Sequence, residues 1–254
     1  MTAELIHLVR RGPVCTLTLD SPHNRNALSA KLVDELADGL AQTVADETVR
    51  VAILTATGSV FCSGADLSER AAPVTSRLPE ILSTLRAAPM PLVARVGGHA
   101  RAGGIGLIAA CDLAVATARS TFAFSEVRIG VAPAMILVPA LRVADRRFLQ
   151  QAALTGEPFS AAAAAAAGLL SDVADDDRAL DEWVEGAVAG ILKSAPGAVA
   201  ATKALLAELP DVPWSEGLSV AQARSAALFA GAEAAAGMDA FLQKRTPPWE
   251  TVAP

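Results

Sequence analysis

Glu126 stands in TFAFSEVRIGVAPA (121–134), among Phe122, Phe124, Val127, Ile129 and Val131. A carboxylate with such neighbours is costly to bury unless it is paired, exposed or used. Desolvation in an apolar cleft would raise its pKa and suit it to exchanging protons near neutral pH. The structural alternative is a strand carboxylate paired with Arg128, two residues on and therefore on the same strand face. Three glycine-bearing loops supply a second kind of chemistry: GSVFCSGAD (58–66), GGHARAGGIG (97–106) and RIGVAPA (128–134). Glycine lets a ligand come close to the backbone. Free N–H groups where a loop enters a helix attract negative charge.

Other chemistries fit less well. Gly104, Gly106 and Ala109 match G-x-G-x-x-G/A, and Glu126 follows about twenty residues later, as the ribose acid of a dinucleotide site would. That fingerprint should directly follow a strand, whereas GGHARA intervenes, and Glu126 sits inside an expected strand. No P-loop pattern is present. His7, His23 and His99 lack metal-ligand spacing, so no metal is expected, and His23 and His99 read as loop residues. Ser63 lies in C-S-G-A and is no G-x-S-x-G nucleophile.

The 254 residues suit one large domain or a domain with an appendage. Hydrophobic residues make up 52% and aromatics 4%, so the core must rest on Ala, Val, Leu and Ile. A net charge of −6 with no basic, aromatic-laced patch argues against a nucleic-acid partner. Cys15, Cys62 and Cys111 are odd in number and widely spaced, which reads as reduced and buried thiols in a cytoplasmic protein. Met1-Thr2-Ala3-Glu4 opens the chain without a basic segment before an apolar run, so no signal peptide is expected. No apolar run approaches the length of a membrane span, so no membrane partner is expected.

The elements that must position these residues alternate. Residues 5–20 read as two strands joined at Arg11-Gly12-Pro13. Ser29 caps a helix through about Val44, with Leu32, Leu36 and Leu40 on one face. Strands are expected over 49–58 and 91–98, with a helix around 81–85 between them. Residues 100–111 turn from a glycine loop into a helix, and DLAVATA and TFAFSEV read as further strands. After Pro139 the chain reads as helices, interrupted at 209–214. Strand–strand–helix rhythm followed by a helical final third predicts an α/β fold.

Taken together, these segments resemble the crotonase, or enoyl-CoA hydratase/isomerase, superfamily over nearly the whole chain. NRNALS (24–29), VAILTATGSVFCSGADL (51–67), PLVARVGGHARAGGIGLIAACDLAVAT (91–117), FAFSEVRIGVAPA, LTGEPFSAAAAAAAGLLSDV (154–173) and FLQKRTPPW (241–249) carry the resemblance in order. It implies a crotonase-like spiral of β–β–α units over 1–195 that binds acyl-CoA, and a C-terminal helical trimerisation region over 196–254. The expected assembly is a homotrimer or dimer of trimers. The expected partner is an acyl-CoA thioester, with coenzyme A part of the substrate and no separate cofactor.

By matching motifs, the thioester oxygen would be held by the N–H groups of Ala65 and Gly103. Preorganised donors of this kind stabilise the enolate formed beside a thioester, and losing one costs about 2.7–4 kcal/mol of barrier. Glu126 matches the second of the two glutamates that hydratase members use. The first falls on Gly106 and is absent. Single-acid isomerases and bacterial hydratases of the methylglutaconyl-CoA type are similar in this respect. Ala134 stands where a dienoyl isomerase would carry Asp. The resemblance further implies that Arg25, Ala27, Leu28, Gly64, Asp66, Leu67, Gly104, Gly106 and Lys244 contact substrate, and that AMILVPAL (134–141) lines the acyl pocket. Asp112 is expected to cap or pair within the scaffold. The expected function is an enoyl-CoA hydratase working through an oxyanion hole and one glutamate. Double-bond isomerisation is the alternative, and a non-catalytic acyl-CoA-binding homologue a further one.

Overall fold

The structure, a computed structural model, describes residues 4–69 and 77–250. The expectations on residues 1–3 and 251–254 lie outside the described residues. Strand β1 (Ile6–Arg11) turns at Gly12 into β2 (Val14–Leu19) as an antiparallel hairpin. Parallel strands β3 (Val51–Ala56), β5 (Leu92–Val96), β7 (Leu113–Thr117) and β10 (Asp172–Ala174) extend it to the order β1-β2-β3-β5-β7-β10. A second sheet joins β4 (Val60–Cys62), β6 (His99–Arg101), β8 (Thr121–Ala123) and β9 (Phe159–Ser160), of which β9 alone runs antiparallel to its neighbour.

The central strands of the large sheet are buried on both faces, and alternation along them explains how. Val51, Val93 and Val115 point one way, towards Leu180, Val184, Val188 and Leu192 of α7 (Asp177–Leu192). That four-residue spacing lays one stripe of the helix on the sheet. Ala52, Leu54, Ala94 and Ala116 point the other way, into the main core. There they meet α1 (Ala30–Ala45), α2 (Leu78–Ala87) and α3 (Gly103–Ala110). Ser29 caps α1 as its sequence predicts, its hydroxyl accepting the Leu32 N–H at 3.3 Å.

The chain passes from large sheet to small sheet to helix in each turn: β5–β6–α3 is the complete example. This is the expected β–β–α spiral. Three local expectations need correction. Residues 99–101 form strand β6 and not a loop, because they pair with β4 and β8 on either side. Helix α4 (Ala134–Val143) begins before Pro139 and carries it inside, so the helical part starts earlier than the proline suggests. Two short strands, β9 and β10, interrupt that part to complete the edge of each sheet. Helix α5 (Arg146–Thr155) precedes β9, and α6 (Ala161–Ala166) lies between the two strands.

Helices α8 (Pro196–Glu208), α9 (Trp214–Phe229) and α10 (Ala232–Leu242) form the last part of the chain. Glu233 of α10 accepts the Gly197 and Ala198 N–H groups, capping α8 from a distance. No residue of α9 is buried, and Trp214, Phe229, Phe241 and Leu242 stand exposed. No helix among the described residues is long and apolar enough to cross a membrane.

Candidate active site

Three segments meet at the N-terminal end of α3. The first is the polar loop 21–29. Arg25 and Asn26 both take left-handed backbone (φ 59° and 52°), and Asn26 is fully buried. Its carboxamide accepts from Ser21 N–H (2.7 Å) and donates to the carbonyls of Thr57 (3.0 Å) and Val60 (2.7 Å). One side chain thereby ties this loop to both ends of the β3–β4 turn. Sequence reasoning assigned Asn26 no role. An asparagine beside a run that must take left-handed backbone was the available signal.

The second segment is Ser63–Leu67. Ala65 forms a parallel bridge to Leu28, in which Leu28 N–H bonds the Gly64 carbonyl (2.8 Å) and Asp66 N–H bonds the Leu28 carbonyl (3.4 Å). That register uses the groups flanking Ala65. No hydrogen bond among the described residues uses the Ala65 N–H. Gly64 is required at its φ of +89°, and a Cβ there would lie 2.6 Å from the Ala102 Cβ. Asp66 is held below the usual carboxylate range by bonds from the Ser68 hydroxyl and N–H, with Asn24 adding a weaker contact. Leu67 is exposed.

The third segment enters α3. Ala102 adopts φ 47°, ψ −119°, a conformation costly for a residue with a Cβ, and its N–H bonds the Ala123 carbonyl at 3.1 Å. The turn presents the first N–H groups of the helix outward. The Gly103 N–H, like that of Ala65, donates to no group among the described residues. A Cβ on Gly103 would stand 2.5 Å from Leu28 Cδ1, and one on Gly104 2.8 Å from Cys62 Cβ. Cys62 is fully buried, and desolvation pushes its thiol up to about 12, which leaves it inert.

Glu126 follows β8 by three residues, and β8 supplies the carbonyl that anchors Ala102. The expected strand does not reach it. Phe124 breaks the extended run, and Ser125–Ile129 form a 3₁₀ turn closed by left-handed Gly130, whose N–H bonds the carbonyls of Glu126 and Val127. Residues 126 and 128 therefore share no strand face. Arg128 pairs with Glu157 and reaches the Thr155 carbonyl instead. The Oε2 of Glu126 is buried with no hydrogen-bond partner among the described residues. Burial raises its pKa, opposed weakly by its own backbone N–H. Phe122 and Phe124, with Phe148, pack on Phe159 (centroids 5.8, 6.2 and 5.0 Å).

The remaining expected residues are distributed as follows. Ala27 and Leu28 are buried in the first loop, and Arg25 is exposed on it. Gly106 is buried one turn into α3, against Ile136. Lys244 follows α10, exposed and with left-handed backbone, and no hydrogen bond or ion pair joins it to the three segments. A cavity of about 1050 Å³ opens at the other end of α3, beside Ala109–Leu113. Met135, Val138, Pro139 and Leu141 line it, whereas Ala65, Gly103 and Glu126 do not. Segment 134–141 thus turns four residues to this cavity and buries Ile136 and Ala140. Asp112 pairs within the scaffold as expected, accepting from Lys203 Nζ (2.7 Å) and Leu92 N–H (2.8 Å).

A spiral of β–β–α turns, with two glycine-built loops meeting at a helix start, defines a crotonase-type α/β fold. The chain belongs to the enoyl-CoA hydratase/isomerase family, whose sequence pattern matches residues 10–252. It is 32% identical over 251 residues to the 2,3-dehydroadipyl-CoA hydratase of Escherichia coli, covering 96% of this chain and 98% of that protein. It is 33% identical over 253 residues to the mitochondrial enoyl-CoA hydratase domain-containing protein 3 of Danio rerio, covering 94% of this chain and 86% of the other. The crystal structure of an enoyl-CoA hydratase from Mycobacterium smegmatis has a TM-score of 0.92 to this fold at 34% identity, over 97% of this chain and 99% of that one.

Proposed function

We propose that the protein is an enoyl-CoA hydratase that adds water to a 2-enoyl-CoA thioester with one carboxylate, Glu126. The carrying observation is the buried Oε2 of Glu126, without a partner among the described residues and three residues beyond the carbonyl that holds Ala102, next to Gly103. A buried charge with no partner is costly, and function is one reason to keep it.

In this reading the Ala65 and Gly103 N–H groups hold the thioester oxygen. Glu126 takes a proton from water as the hydroxyl oxygen bonds to Cβ, and the double-bond electrons move onto the thioester oxygen as an enolate. The protonated Glu126 then gives that proton to Cα as the carbonyl re-forms. One water is consumed, and Glu126 ends ionised as it began. The raised pKa of Glu126 brings its two protonation states closer in energy. Arg25, Ala27, Leu28, Gly64, Asp66, Leu67, Gly104 and Lys244 belong to the path of the coenzyme A portion. Gly106 supplies backbone without an acid. The scheme asks for no metal and no cofactor beyond the coenzyme A of the substrate. The exposed apolar residues of 196–254 form the contact of a homotrimer or dimer of trimers, and the protein works in the cytoplasm.

Double-bond isomerisation is the second reading, favoured by the glycine at 106. There Glu126 would take a Cα proton from a 3-enoyl thioester and return it to Cγ through the same enolate. Mass spectrometry on 2-enoyl-, 3-enoyl- and branched unsaturated acyl-CoAs decides, with Glu126→Gln alongside. A gain of one water that needs Glu126 supports hydration, and an unchanged mass with a moved double bond supports isomerisation. Tight binding of the thioesters without any change would make the protein a non-catalytic binder.

A further inference from the structure

We propose that Ile136 is a positioning residue for Glu126, acting through its contact with the bare backbone of Gly106. The inference rests on the reading of Glu126 as the proton carrier.

Gly106 is buried one turn into α3. An added Cβ would lie 2.7 Å from Ile136 Cγ2, 3.0 Å from its Cβ and 3.4 Å from its Cα. The space for a side chain at 106 is therefore filled by the side chain and the backbone of α4 together. Ile136 is 3% exposed and sits in the first turn of α4. Helix α4 is seated on α3 closer than any residue with a Cβ would allow. A carboxylate at 106, the second acid of the hydratase pattern, is excluded by packing as well as by sequence.

That seating reaches Glu126 through a short, internally bonded link. The 3₁₀ turn ends at Ile129 and α4 begins at Ala134. Across the gap, Val131 N–H bonds the Glu126 carbonyl (3.0 Å), Ala134 N–H bonds the Ala132 carbonyl (2.8 Å) and Leu137 N–H bonds the buried Pro133 carbonyl (3.1 Å). Pro133 adds a fixed φ. A displacement of α4 has little slack in which to dissipate before Glu126. On the other side the turn packs on α5 and is held by Arg128, which is engaged by Glu157 and the Thr155 carbonyl. Among the described residues no charged side chain contributes to the titration of Glu126, which burial raises. In this proposal the seating of α4, separated from the turn by four residues, sets where the turn holds the carboxylate.

The test is Gly106→Ala, read by the ¹³C chemical shift of the Glu126 carboxyl against pH in glutamate-labelled protein, with Glu126→Gln to assign the signal. The added methyl pushes α4 outward and admits water, so the titration of Glu126 moves down towards the ordinary glutamate range. Turnover falls about a hundredfold in kcat with KM little changed, as a misplacement of an ångström costs. Adding Ile136→Ala removes the nearest colliding atom, Cγ2, and leaves Cβ at 3.0 Å, so the double variant moves the titration back towards the parent value and recovers part of the rate. If Gly106→Ala does not fold, Ile136→Ala alone, which also frees α4, is expected to lower the titration. A carboxyl that titrates as in the parent protein in the folded variant, or a double variant that fails to move the titration back, would overturn the proposal. Because the titration needs no substrate, full turnover by Glu126→Gln would sink the role given to Glu126 and leave this measurement standing by itself.

Discussion

The two ends of α3 are built to opposite rules. At its N-terminal end the polar groups are left open: among the described residues the Ala65 and Gly103 N–H groups have no acceptor and Glu126 Oε2 has no partner, and Ala102 is strained. At the C-terminal end they are matched. Lys203 Nζ donates to Asp112, to the Leu85 carbonyl (3.0 Å) and to the Met90 carbonyl (3.2 Å), while Asp112 also receives Leu92 N–H. A cation at the carbonyl end complements the helix dipole. Eight residues separate unmatched polar groups from matched ones. Substitutions at one end are therefore expected to cost rate, and those at the other to cost folding.

Glu126→Gln should break the first end most severely, lowering kcat by about 10³–10⁴-fold, the upper range for a positioned acid–base group. Its melting temperature should rise at neutral pH. The sign follows from burial: the folded pKa of Glu126 lies above its unfolded value of 4.5, so the native protein loses stability as pH rises through the folded pKa. Glutamine has no such loss. The gap between the two proteins should open with rising pH and close below the ordinary glutamate range. A variant less stable than its parent at pH 7 would place Glu126 at the matched kind of end.

Gly103→Ala keeps the N–H but sets a methyl 2.5 Å from Leu28 Cδ1. Leu28 must either turn its buried side chain or shift the loop that aligns Ala65. Turnover should drop by about 10²–10³-fold, as for losing one oxyanion donor. Stopped-flow binding of a saturated acyl-CoA should change far less.

Lys203→Met tests the other end. Lys203 is 9% exposed, and removing it leaves Asp112 without its cation, at a cost of about 3 kcal/mol. Asp112 is already raised by desolvation, with Lys203 opposing, so losing Lys203 raises it further. Stability from the protonated form is then lost as pH rises through that value. Urea titrations should show a deficit that is largest at neutral pH and shrinks in acid. The specific activity of the folded fraction should stay within about threefold of the parent, since the effect is on folding. A collapse of rate in fully folded protein would join the two ends.

The smallest effect is expected from Ala102→Gly. Relief of the strained backbone and the added freedom of the unfolded chain oppose each other, leaving a gain below about 1 kcal/mol. Chemical denaturation checks the sign, and a loss would show that the Ala102 methyl earns more by packing than its conformation costs.

What could be read from the sequence followed locality. Ser29 names its helix start, and the alternation of residues 14–19 and 51–56 names strands. The motifs around Ala65 and Gly103 found two loops that do meet. The chain around Glu126 misled because Phe122 and Phe124 alternate as a strand would, while left-handed Gly130 six residues later closes a 3₁₀ turn. Asn26, Ile136 and Lys203 were invisible for another reason. Each has its role through partners distant in sequence: Lys203 meets Asp112 across 91 positions, and Ile136 meets Gly106 across thirty. Local pattern carries no information on such contacts.

The strand order has a consequence for synthesis. In both sheets the order of neighbours is the order of the chain, β1-β2-β3-β5-β7-β10 and β4-β6-β8-β9. Each new strand, as it leaves the ribosome, finds its partner already made and waiting at a single growing edge. Parallel pairing at long separation ordinarily burdens folding, but vectorial delivery relieves it here, since no strand must be held open for one that emerges later. A nascent chain halted after Thr117 would already hold five of the six large-sheet strands in their final order.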